Sequence, residues 1–121
     1  MEIKIIDELW KVMVAASDVV RIFITMPDNT RQHKGHPKSG GFFTIINRNN
    51  GNPLVFQAGL IKPEEFKKNF ILSHDRAVRL QHGFIPMGSP VAVSSKDHIL
   101  SFAGFFPEAD QAISLVTAVR I

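Results

Sequence analysis

Apolar residues recur at helical spacing at the start of the chain. Leu9, Val12, Met13, Ala16 and Val20 fall on one side of the helical period, and Asp7 is placed to cap it. The pattern predicts a helix over 7–23. Its end competes with a strand, because Val19-Val20-Arg21-Ile22-Phe23-Ile24-Thr25 is rich in β-branched residues. Met26-Pro27-Asp28-Asn29 breaks either element. From Pro27 to Gly41 the chain is polar and reads as one long connecting loop. Residues 28–41 have almost no apolar anchor, so they are expected to be the most mobile internal segment.

Phe42-Phe43-Thr44-Ile45-Ile46-Asn47 and Leu54-Val55-Phe56-Gln57-Ala58 then flank Asn50-Gly51. Asn-Gly suits the centre of a two-residue type I′ turn, so the two runs predict a hairpin. That turn sets Ile45 opposite Phe56, Phe43 opposite Ala58 and Asn47 opposite Leu54. Phe43, Ile45, Leu54, Phe56 and Ala58 then share one face. Phe42, Thr44, Ile46, Val55 and Gln57 make the other, which is also largely apolar. Both faces need cover. Three helices are too few to sandwich such a sheet fully, so a homo-oligomer is expected to bury the second face. On that reading Ile46→Asp breaks the assembly and spares the hairpin. The rival is a monomer with the 27–41 loop or the N-terminal segment folded over it.

Pro63 opens a second helix, expected over 63–82, with Phe66, Phe70, Ser73, Ala77 and Leu80 as its buried stripe. Gly83 is a natural stop. Pro90–Ser94 and Ile99–Ala103 read as strands around Lys96-Asp97. Gly104-Phe105-Phe106-Pro107 turns into a last helix over 108–119, with Ala109, Ala112, Ile113, Val116 and Val119 facing the core. Glu108 and Asp110 in its first turn and Arg120 in its last suit the helix dipole. The order is helix, hairpin, helix, hairpin, helix, with no repeat beyond the two hairpin–helix units.

At 121 residues this is a single domain, 1–121. Hydrophobic residues are 45% and charged residues 21%, which excludes disorder. No apolar run approaches the ~18 residues of a membrane span, and no signal peptide is visible, so the expected location is the cytoplasm. Cysteine is absent, which removes disulfides, thiolate nucleophiles and zinc knuckles. The net charge of +3 is too small an excess for phosphate-driven nucleic-acid binding. Arg31, His33, Lys34, His36 and Lys38 cluster instead in the polar loop, and read as a solvated surface.

No P-loop, G-x-G-x-x-G or G-x-S-x-G occurs, and tyrosine is absent. Histidine carries the remaining site hypotheses. His33 and His36 are too few for a stable metal site. His74 lies beside the buried stripe of the second helix, with Arg76 and Arg79 following it. His82 closes that helix, and His98 falls at the hairpin turn. No catalytic triad is recognisable, and whether the chain is an enzyme stays open.

Three segments resemble the GlcG/HbpS-like family, small domains that bind or degrade haem and are also found fused to PduO-type adenosyltransferases. Ile45-Ile46-Asn47-Arg48-Asn49-Asn50-Gly51-Asn52-Pro53-Leu54-Val55 is similar to its (I/V)-V-D-x-x-G-x-L-V hairpin, with Asn47 at the Asp position. Lys68–Ala77 is similar to its A-x-x-K-A helix, with Arg76 at the lysine position. Ile99–Ala112 is similar to its closing G-A-I-G-V-S-G-x-x-x-E-Q-D-E-A-V strand and helix, where Phe105-Phe106-Pro107 replaces a glycine-rich turn. The resemblance covers about residues 42 to 121. It implies an α/β (α+β) fold of profilin-like layout, an antiparallel sheet of four to five strands with helices packed on it, and homo-oligomers. It also implies a small-molecule ligand, haem or a small organic acid. Its polar rim would be His74, Arg76, Arg79, Gly104 and Glu108, since arginines pair well with carboxylates. The alternative is an interaction module that assembles and holds no ligand.

Overall fold

The computed structural model describes residues 2–25, 38–49, 51–83, 92–94 and 97–120. The central hairpin forms as the alternation predicts. Strand β1 (Ser39–Asn47) pairs antiparallel with β2 (Pro53–Leu60). Its register differs from the expected one by two residues: Ile45 pairs with Leu54, Phe43 with Phe56 and Gly41 with Ala58. The connection is wider than a type I′ turn. The Asn47 carbonyl accepts from Gly51 N at 2.8 Å, and Asn47 Oδ1 accepts from Asn49 N at 2.8 Å. Gly51 takes the left-handed φ of 71° that the Asn-Gly signal requires, while Asn50 lies outside the described residues. Because the slip is even, each side chain keeps its face.

A second antiparallel hairpin, β3 (Ala92–Ser94) and β4 (His98–Ala103), docks onto β1, and the sheet order is β2-β1-β4-β3. His98 therefore belongs to a strand, opposite Asn47, and is half-buried. Helix α1 (Glu2–Ile24) and helix α3 (Pro107–Arg120) cover one face of the sheet. Val12, Ala16, Val19, Val20 and Ile113 pack there with Phe43, Ile45, Ala58, Leu100 and Phe102. Helix α2 (Pro63–Gln81) covers the opposite face, joining Ala77 to Ile46 and Ile99. The expected α+β class with an antiparallel sheet is present.

The second apolar face of the hairpin therefore needs no second copy. Ile46 and Phe42 are buried by α2 of the same chain, and that premise for an oligomer falls. Helix α1 begins at Glu2, so Asp7 is inside it and does not cap it. The β-branched run 19–24 is helical because Val19 and Val20 face the core. The expected loop is shorter, since Ser39, Gly40 and Gly41 already belong to β1; residues 26–37 lie outside the described residues.

Those glycines let three strands meet. A Cβ on Gly41 would stand 2.2 Å from Ala103 O, and one on Gly104 would stand 2.4 Å from Gly40 O. Gly41→Ala should cost about 3 kcal/mol, the upper end for overpacking. Gly83→Ala meets open space and carries only the left-handed penalty of its φ of 80°, about 1 kcal/mol. Urea midpoints of the two variants, at equal m-value, check the contrast.

Candidate functional site

Helix α2 starts at Pro63 with Glu64 and Glu65 in its first turn and stops at Gly83, whose N–H donates to Leu80 O at 3.0 Å. Its sheet-facing side is less apolar than expected. Asn69, Ser73 and Ala77 are buried there, whereas Phe66 and Phe70 remain 46% and 40% exposed. Both phenyl rings stand edge-on to the buried Phe42, with centroids at 4.7 and 5.4 Å. Beneath them Thr44 and Ser73 share a hydrogen bond of 2.9 Å, and Ser73 also donates to Phe70 O. Ser101 Oγ, the cross-strand neighbour of Thr44, is buried with no partner among the described residues.

A buried ion pair joins α2 to α3. Arg76 Nη1 donates to Asp110 Oδ2 at 2.9 Å and to Phe102 O at 2.8 Å. Both side chains are nearly closed off from water. Asp110 Oδ1 accepts from Phe105 N at 2.9 Å. Burial pushes the Asp110 carboxyl above its ordinary value of 3.8, while Arg76 and the Phe105 and Gly104 amides pull it down. Asp110 lies in the first turn of α3, as expected, and is buried there. It ties α2, β4 and the 104–106 turn together.

This pairing rearranges the expected rim. Arg76 is brought to Asp110 and turned inward. Gly104 is buried, packs against Gly40 and Gly41, and lends its amide to Asp110. The turn whose amides would have met an anion already serves a carboxylate of its own chain. Arg79 and Glu108 are exposed on α2 and α3. His74 is half-buried, one helical turn from Phe70 and Ile71, and Ile71 is 47% exposed. The result is an apolar shelf, Phe66, Phe70 and Ile71, ending in one imidazole. The helical period predicts Phe66 and Phe70 on the buried stripe, but both lie partly exposed. Their exposure follows from the small side chains at 69, 73 and 77, which bring that side of the helix onto the sheet.

A cleft of 170 Å³ opens where β1 begins and β2 ends, lined by Lys38, Ser39, Gly40, Leu60, Ile61, Lys62 and Glu65. Lys38 pairs with Glu65 across it and, by that hydrogen bond, holds the Glu65 carboxyl below its ordinary value; the Lys62 and Lys68 charges add to the effect. Among the described residues no three His, Asp or Glu gather as metal donors, and no helix is long and apolar enough to cross a membrane. His33 and His36 lie outside the described residues. Neither the protein-family models, the curated proteins nor the solved structures contain a match to this chain.

Proposed function

We propose that the chain is a small-molecule-binding domain of the GlcG/HbpS-like kind that acts as a homo-oligomer. The observation that carries this reading is the Arg76–Asp110 pair. Arg76 stands at the lysine position of the resembling central helix, and Asp110 at the aspartate position of the resembling closing helix. Two separate motifs thus converge on one buried contact of 2.9 Å. The sheet order β2-β1-β4-β3, with α1 and α3 on one face and α2 on the other, supports a profilin-like layout.

The ligand belongs on α2, with His74 and the shelf of Phe66, Phe70 and Ile71. A flat apolar molecule would fit such a surface, and His74 would hold the iron of a haem bound there. Arg79, exposed further along the helix, is available to a carboxylate; Arg76 is not, because Asp110 and Phe102 O already occupy its Nη1. Titration with haem should produce a shifted Soret band. His74→Ala should abolish it and leave the urea midpoint unchanged. An unshifted band with the parent protein, or a shift that survives in His74→Ala, overturns the reading.

A further inference from the structure

Helix α3 seats Ala109 and Ile113 in the core but leaves two large apolar residues on its outer side. Asp110, Ser114 and Thr117 point inward, whereas Leu115 and Val119 are 51% and 80% exposed. The adjoining helix α1 adds Trp10, 65% exposed, and Val14, 44% exposed. Between these two helices runs an open groove of 510 Å³, lined by Trp10, Lys11, Val14, Ala15, Asp18 and Arg120. An exposed tryptophan beside an apolar groove marks an interaction surface, since tryptophan dominates the binding energy of interfaces.

We infer that this groove is the interface between two copies of the chain, joined by antiparallel contact of their α1 helices. The inference rests on the homo-oligomer reading and names the surface that reading lacks. The occupant follows from the charges. Lys11 and Asp18 flank Val14 and Ala15 on the groove. A two-fold axis between Val14 and Ala15 sets Lys11 of each copy against Asp18 of the other, so the pair forms twice. Val14 of each copy then packs on Ala15 of the other. A patch that is its own complement is what a closed dimer requires. Asp18 is only loosely held within its own chain, 3.8 Å from an exposed Arg21. Trp10 of each copy enters the other's groove beside Arg120, where its ring face meets a guanidinium.

Trp10 is the sole tryptophan and the chain has no tyrosine, so its emission reports this surface alone. Sedimentation and tryptophan emission across a micromolar dilution series test the proposal. The parent protein should sediment as a dimer, and its emission should shift to the red as dilution separates the copies. Val14→Glu, Lys11→Asp and Asp18→Lys should each raise the dissociation constant about tenfold or more, at exposed or half-exposed positions that leave the far-ultraviolet circular dichroism of the fold unchanged. Lys11→Asp combined with Asp18→Lys should restore the parent value to within about twofold. A parent protein that stays at 13.5 kDa overturns both this interface and the oligomer reading, with haem binding judged separately. An oligomer indifferent to all three substitutions overturns the interface alone. Single reversals that weaken the dimer without recovery in the double variant overturn the Lys11–Asp18 pairing.

Discussion

Arg76→Ala is expected to destabilise the chain by about 3–5 kcal/mol at neutral pH, because it leaves a buried carboxylate facing no cation. Asp110 is closed in by α2, β4 and its own helix, with its side chain 3% exposed. Phe102 O loses a donor in the same step. The companion variant, Arg76→Met with Asp110→Leu, should recover most of that loss, since replacing both charges removes the desolvation cost along with the attraction. A double-mutant cycle by urea denaturation measures the coupling. The Arg76→Ala deficit also depends on pH, with a definite sign. Burial already raises the folded Asp110 carboxyl above 3.8, and loss of Arg76 raises it further. A carboxyl raised on folding stabilises fully below its unfolded value, and that stabilisation is lost as pH rises through the folded value. The deficit should therefore shrink as pH falls toward 4. A deficit that stays flat or grows on acidification contradicts the assignment.

The elements were largely legible because their signals are local. Pro63 and Gly83 bracket α2, and the alternation through Phe42–Asn47 and Leu54–Ala58 sorts side chains correctly even though the register slips by two. The slip comes from the loop. Asn47 and Gly51 close a wider turn through their own hydrogen bonds, and an even slip is invisible to a period of two. What alternation cannot show is which helix covers which face, and the face expected to need a second copy is covered by α2 of the same chain. Ile46 is buried by α2, a single helix placed where small residues at Ser73 and Ala77 allow close approach. The expected face of α3 holds at Ala109, Ile113 and Val116 and fails at Val119, because the buried side is rotated to take in Ser114 and Thr117. Ser114 and Thr117 satisfy their hydroxyls on the carbonyls of Asp110 and Ile113, at 3.0 and 2.7 Å, and so can be buried at little cost. That rotation also carries Asp110 to Arg76 and turns Val119 out. The Arg76–Asp110 pair spans 34 positions, and no periodicity connects residues so far apart. Of the expected site, His74 stays half-exposed beside an apolar surface, while Arg76 and Gly104 are drawn into the framework by Asp110.

Ile46→Asp should unfold the chain outright and not merely separate its copies. Ile46 is fully buried, packed on Ala77 and Ile99 with Val78 and Leu80 around them, and it pairs with Pro53 and Ile99 in the sheet. No cation stands among the residues of that cluster. A carboxyl placed there must be protonated or drag water into the sheet, and either route costs more than about 4 kcal/mol, a large part of the 5–15 kcal/mol that holds an ordinary domain. Ile46→Val removes one methyl from the same place and should cost only about 1 kcal/mol. Far-ultraviolet circular dichroism and urea titration of the two variants test this, with Val14→Glu as the surface control. The α1 variant should keep the parent spectrum and a cooperative urea transition, because Val14 is 44% exposed, whereas Ile46→Asp should lose both. A folded Ile46→Asp protein with the parent midpoint would mean that α2 does not seal the second face of the hairpin, and would return that face to the list of surfaces needing a partner.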